Sequence, residues 1–146
     1  MEEDYMKRAL ELAKKGKGHT SPNPIVGAVI VRQERIIGEG YHMVYGGNHA
    51  EVNAFLNATE DVKGATMYVN LEPCSHYGKT PPCVNAIVEK GIKKVVIGVL
   101  DPNPLVVGRG IEILRDNGIE VVVGVLEEDC RSANEIFLEY IVKEKG

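Results

Sequence analysis

The chain has three cysteines in 146 residues, an odd number and too few for a fold stapled by disulfides. It lacks any stretch near the roughly 18 consecutive apolar residues of a membrane span. The opening Met-Glu-Glu-Asp-Tyr-Met-Lys has no basic segment followed by an apolar one, so it does not read as a secretory leader. A cytoplasmic protein with no membrane contact is expected. Positive charge is not in excess either: 17 Lys and Arg face 21 Asp and Glu, for a net charge of −4. That balance gives no electrostatic footprint for a nucleic-acid partner. Aromatic residues make up only 5%, but 44% of the chain is apolar, enough to build the core of a single domain over residues 1–146.

The apolar pattern divides this domain into alternating elements. Met6, Ala9, Leu10 and Ala13 follow helical spacing, and that helix ends near Gly16-Lys17-Gly18. Ile25 to Val31 and Ile36 to Gly40 read as two strands of a hairpin, joined by Arg32-Gln33-Glu34-Arg35. A helix follows Gly46-Gly47-Asn48, with Asn48 as its expected N-cap. The remainder reads as strand Ala65 to Leu71, helix Cys83 to Lys90, strand Lys94 to Leu100, helix Gly110 to Asn117, strand Glu120 to Val125 and helix Glu127 to Lys143. Gly91 and Gly118 stand where helix C-caps belong. Strands that alternate with helices predict parallel pairing in the C-terminal half, hence a mixed sheet with helices on both faces.

The chemistry concentrates in two segments. One is His49-Ala50-Glu51; the other runs from Leu71 to Cys83 and holds Cys74 and Cys83. One imidazole and two thiolates form a soft donor set that suits zinc. Three protein ligands leave a tetrahedral ion one position for water, whose pKa the ion lowers towards roughly 7. Glu51 is then the candidate general acid and base. On an ideal helix two residues apart point about 200° from one another, so His49 and Glu51 meet one ion only if it sits beyond the helix N-terminus. Gly46-Gly47-Asn48 before one segment and Pro81-Pro82 before Cys83 both mark helix starts, where the partial positive charge favours thiolate. The alternative is a closed structural site with His76 or Cys130 as fourth ligand. It leaves Glu51 unexplained, and Cys130 falls in register with Ala133, Ile136, Phe137, Tyr140 and Ile141 as a core thiol.

Two asparagines stand out as binding candidates. Asn23 and Asn103 each lie between prolines, which restrict the neighbouring backbone and hold the amide before a ligand arrives. Asp101 and Asn103 also follow a strand at its carboxyl edge, where open α/β sheets bind ligands. Ordinary turn chemistry is the competing reading of all three.

His-x-Glu on one helix and Pro-Cys on the next resemble the zinc nucleobase deaminases, in which His and two Cys hold the metal and the Glu does not. The departure is spacing: eight residues separate Cys74 from Cys83, against two in the usual motif. The longer segment Glu72-Pro-Cys-Ser-His-Tyr-Gly-Lys-Thr-Pro-Pro-Cys83 is similar to the deaminase domain of riboflavin biosynthesis, as are Ser21-Pro-Asn-Pro24, Gly38-x-Gly-Tyr-His42, Asp101-Pro-Asn-Pro-Leu105 and Gly108-Arg-Gly110. The resemblance covers nearly the whole chain. It implies a three-layer α/β/α cytidine-deaminase-like fold with a five-stranded mixed sheet and helices on both faces. It implies one zinc per chain on His49, Cys74 and Cys83, with Glu51 moving protons as a pyrimidine ribotide loses ammonia. Asn23, His42, His76, Lys79, Asp101 and Asn103 would line the substrate pocket, with Lys79 the best candidate for the phosphate and Arg109 a weaker one. A homo-oligomer, dimer or tetramer, is expected, with Phe137 and Tyr140 available for an interface. The family often carries a C-terminal reductase that uses NADPH; none is expected in this chain, so NADPH should not bind, and a separate reductase is a candidate partner. Two other functions compete: a deaminase of the same fold acting on tRNA adenosine or guanine, and an inactive zinc-stabilised binding module.

Overall fold

The computed structural model describes residues 2–20, 23–44, 46–75, 82–101 and 107–134. Helix α1 covers Glu2–Lys14, strands β1 and β2 cover Gly27–Arg32 and Arg35–Tyr41, helix α2 covers Ala50–Leu56, and strand β3 covers Thr66–Leu71. Helix α3 (Cys83–Glu89), strand β4 (Lys94–Val99), helix α4 (Arg109–Asp116), strand β5 (Glu120–Val123) and helix α5 (Glu127–Ala133) complete the alternation. The last helix, expected to run to Lys143, ends at Ala133 with Asn134 as its non-helical C-cap, and the residues after Asn134 lie outside the described ones. Among the described residues no helix is long and apolar enough to cross a membrane.

The five strands form one mixed sheet in the order β2-β1-β3-β4-β5. β1 runs antiparallel to both β2 and β3, while β3, β4 and β5 are parallel. Successive residues of a strand face opposite sides, and the core divides accordingly. Ala28, Ile30, Met67, Val69, Val95 and Ile97 join Ala50 and Ala54 of α2, Val84 and Ile87 of α3, and Ile111 and Leu114 of α4. Val29, Val31, Tyr68 and Val96 join Met6, Ala9 and Leu10 of α1 and Cys130 of α5. The result is three layers, α/β/α.

Local chemistry sets the element ends. The β1–β2 hairpin turns through Gln33 and Glu34, both left-handed at φ 50° and 64°, the pairing of a tight turn that matches strand twist. After α3, the N–H of Gly91 donates to the Val88 carbonyl and that of Ile92 to the Ile87 carbonyl; after α4, Gly118 and Ile119 do the same to Arg115 and Leu114. Gly91 and Gly118 have φ of 75° and 79°, so both helices end in the glycine-dependent cap the sequence predicts. Element bounds shift by a residue or two elsewhere, and at two starts local hydrogen bonds give the reason. β1 begins at Gly27 rather than Ile25, because the Ile25 backbone bonds side chains instead of a strand: its N–H donates to Asn134 Oδ1 and its carbonyl accepts from Asn70 and Asn134. The N-cap of α2 is His49 rather than Asn48, since the Asn48 carbonyl is turned towards His42 and Asn53.

Candidate active site

Helix α2, which follows the antiparallel hairpin, and the β3–α3 unit that begins the parallel half bring the two chemistry-bearing segments together. His49 is in extended conformation at φ −71°, ψ 162°, with its ring free of any capping bond. Because His49 precedes the first helical residue, the opposition expected of two helical positions does not apply, and Glu51 in the first turn shares its neighbourhood. β3 delivers the chain to Cys74, and α3 starts at Cys83, directly after its N-cap Pro82.

The His49 Nδ1 lies 3.1 Å from Cys83 Sγ and 3.6 Å from Cys74 Sγ. All three donor atoms fall within 4.8 Å of one another. In a tetrahedral zinc site with bonds of about 2.0–2.3 Å, neighbouring donors stand roughly 3.5–3.8 Å apart, so this donor set fits zinc in kind and in spacing. None of the three cysteines is in a disulfide. Cys130 is buried with α1 against the opposite face of the sheet from α2 and α3, which removes it as a fourth donor.

The electrostatics of the cluster are internally linked. Cys74 is pushed towards thiolate, first by the bond it accepts from the Cys83 thiol and then by His49 and the Cys83 backbone N–H, which donates to its sulfur at 3.0 Å. Cys83 moves the opposite way, holding its proton in that bond with burial adding to the effect. The His49 imidazole is pushed up, chiefly by its bond to Cys74. Glu51 is only 3% exposed, and its carboxyl is raised to about 7, mainly by burial and then by the charge on Cys74. The Cys83 side chain works in the opposite direction, as a smaller lowering influence on that carboxyl. A carboxyl that changes protonation near neutrality beside a three-donor N/S cluster is equipped to take a proton from water and pass it on.

Of the residues expected to contact substrate, Asn23, His42 and Asp101 are described; His76, Lys79 and Asn103 lie outside the described residues. The Asn23 amide is 3.2 Å from His42 Nε2, and His42 Nδ1 is 3.0 Å from the Asn48 carbonyl. A carbonyl only accepts, so Nδ1 carries the proton and Nε2 accepts from the Asn23 amide N–H. The His42 ring also meets His49 edge to face, with centroids 5.4 Å apart. Asn23 and His42 therefore adjoin the cluster. Asp101 follows β4 at its carboxyl edge, and its N–H donates to Glu72.

Three residues that sequence reasoning passed over hold this arrangement. Asn70 and Asn134 are buried and grip the backbone of Ile25, and the Gly27 N–H also donates to Asn70. Glu72 is buried directly before Pro73-Cys74. A polar side chain inside the apolar run Met67 to Leu71 was a readable signal at Asn70; Asn134 carried none.

Residues 1–99 match the model of the cytidine and deoxycytidylate deaminase zinc-binding region. The riboflavin biosynthesis protein RibD of Aquifex aeolicus is 57% identical over 145 residues, 99% of this chain and 41% of that protein. The diaminohydroxyphosphoribosylamino-pyrimidine deaminase of Buchnera aphidicola from Schizaphis graminum is 52% identical over 135 residues, 92% of each. Among solved structures, the diaminohydroxyphosphoribosylaminopyrimidine deaminase/5-amino-6-(5-phosphoribosylamino)uracil reductase of Thermotoga maritima superposes with a TM-score of 0.94 at 55% identity, covering 98% of this chain and 42% of that one. The chain thus spans about two fifths of the longer relatives and nearly all of the shorter one.

Proposed function

This chain belongs to the family of the cytidine and deoxycytidylate deaminase zinc-binding region, and from that premise we propose that it hydrolytically deaminates 2,5-diamino-6-ribosylaminopyrimidinone 5′-phosphate, yielding the aminouracil ribotide and ammonia. His49 through Nδ1, Cys74 and Cys83 would hold a zinc ion, one per chain. When bound, zinc lowers the pKa of a water molecule and makes it a nucleophile near neutral pH. Glu51 takes one proton from the attacking water and passes it to the ring nitrogen, then takes the second proton of that same oxygen and gives it to the departing amine. One water enters, the C–N bond to the exocyclic amine breaks, and ammonia leaves, so the protons balance through a single carboxylate.

The observation that most supports this reading is the burial of Glu51 against the His49, Cys74 and Cys83 cluster. A structural zinc site has no use for an ionisable carboxyl at that position, and burying one costs free energy. Asn23, His42 and Asp101, with His76, Lys79 and Asn103, form the proposed ribotide pocket, Lys79 meeting the phosphate. The relatives named for the deaminase support the choice of base. We place the protein in the cytoplasm as a homo-oligomer, with a reductase, on another chain or another domain, consuming its product.

The test combines elemental analysis of the purified protein with ammonia release from freshly generated diaminopyrimidine ribotide. About one zinc per chain is expected, with turnover that falls by at least a hundredfold in Glu51→Gln while zinc stays bound. Zinc without ammonia release from the ribotide would sink the substrate assignment, and guanine and tRNA would then be assayed. Activity within tenfold of wild type in Glu51→Gln would remove the proton-transfer role.

A further inference from the structure

Among the described residues only Glu51 and Glu72 are buried carboxylates, and the pocket above makes no use of Glu72. Glu72 stands at the carboxyl end of β3, where its own N–H still donates to the Val99 carbonyl of β4. From there its side chain gathers three backbone donors. The Asp101 and Gly108 N–H groups donate to Oε1, and that of Gly110 to Oε2, each at 3.1 Å. These donors come from the exit of β4 and from the start of α4, more than 28 residues away along the chain.

The position of those donors gives the carboxylate its consequence. Gly110 sits so close to the cluster segment that an added Cβ would stand 2.7 Å from the Pro73 carbonyl oxygen and 3.3 Å from the Val84 side chain. The start of α4 therefore rests on the residue before Cys74 and the one after Cys83. Asp101 leaves the adjacent strand under the same carboxylate. A neutral glutamine has one acceptor oxygen, and its NH₂ group would face at least one of the three N–H donors. Only a carboxylate satisfies both sides at once, and buried charge of this kind is retained where it is fully hydrogen-bonded.

We infer that Glu72 is a positioning residue: its carboxylate fixes Asp101 and the first turn of α4 against the Pro73-Cys74 segment, setting the pocket wall at the right distance from the His49, Cys74 and Cys83 cluster. The inference deepens the proposed deaminase reading and rests on it for its kinetic consequence. Glu72 acts on binding through Asp101 and leaves the cluster and Glu51 in place.

Two readouts on the purified full chain test it. In Glu72→Gln the KM for the ribotide should rise at least tenfold while kcat stays within threefold and zinc content stays at wild-type level. Independently of activity, trypsin cleavage after Arg109, which lies between two of the held N–H groups, should accelerate about tenfold when that bond is followed by mass spectrometry. If Glu72→Gln does not fold, Glu72→Asp, which keeps the charge but loses reach, should show the same split with a KM rise of about threefold. An unchanged KM and unchanged cleavage after Arg109 would overturn the inference. So would a parallel loss of zinc and kcat, which would make Glu72 a mere support of Cys74. If the wild-type protein released no ammonia, the deaminase reading would fail, and the Arg109 cleavage rate alone would decide whether Glu72 holds the α4 start.

Discussion

Glu51 is a carboxyl group that burial keeps protonated up to about pH 7, and this has a thermodynamic signature separate from catalysis. Below the usual carboxyl value of 4.5 both the folded and unfolded states hold the proton. Between 4.5 and about 7 the unfolded chain ionises while the folded one does not, so stability falls as pH rises through that window. The shift amounts to on the order of 3 kcal/mol in the metal-free protein. The Cys74 thiol, depressed by its partners, acts in the opposite sense in wild type and variant alike, and so largely cancels in a comparison of the two. Urea unfolding of metal-stripped wild type and Glu51→Gln at pH 5 and pH 8 should show the gap widening in favour of glutamine by about that amount; a pH-independent gap would mean that Glu51 ionises normally. At this scale His49, Glu51, Cys74 and Cys83 were legible because their residue types and spacing carry metal chemistry by themselves. Glu72 and Asn134 were not, because their partners are backbone groups 29 to 109 residues away that only the fold brings near.

At the scale of elements, the site depends on how closely α2 lies on β2. A Cβ on Gly40 would stand 2.3 Å from the Ala54 nitrogen and 2.6 Å from the Ala50 oxygen, and one on Gly38 would be 2.7 Å from the Ala54 oxygen. These two glycines of the Gly38-Glu-Gly-Tyr-His42 segment let the helix backbone touch the strand. That contact sets where His49 and Glu51, at the start of α2, meet the cysteines of the other segment. Gly40→Ala must push α2 outwards, because the atoms it meets are backbone and do not swing aside. Overpacking of this kind costs about 1–3 kcal/mol, and a displacement near 1 Å at reacting groups costs roughly a hundredfold in rate. Gly40→Ala should therefore lower the denaturation midpoint and reduce ammonia release about a hundredfold. Activity within twofold of wild type would show that α2 tolerates a shift without moving the site.

For the whole molecule, the division into alternating strands and helices was readable, and with it the mixed sheet, since a parallel pair needs a crossover and each C-terminal strand is followed by a helix. The strand order β2-β1-β3-β4-β5 was not. β1 pairs with β3 across the intervening hairpin partner and α2, and no local pattern specifies that choice. This architecture makes the His49, Cys74 and Cys83 cluster a tie between α2, which packs on the antiparallel hairpin, and the β3–α3 unit that begins the parallel half. An ion that binds all three donors stabilises only the folded arrangement. With free zinc at a thousandfold excess over its dissociation constant the gain is about 4 kcal/mol, which for a chain of this size corresponds to roughly 10 °C in Tm. Chelation should lower Tm by about that amount, zinc should restore it where magnesium does not, and Cys83→Ser should melt at one temperature with or without the chelator. If removal of one zinc per chain left the wild-type Tm unmoved, the three donors would not be acting together on one ion, and the cluster would lose its place as the centre of the site.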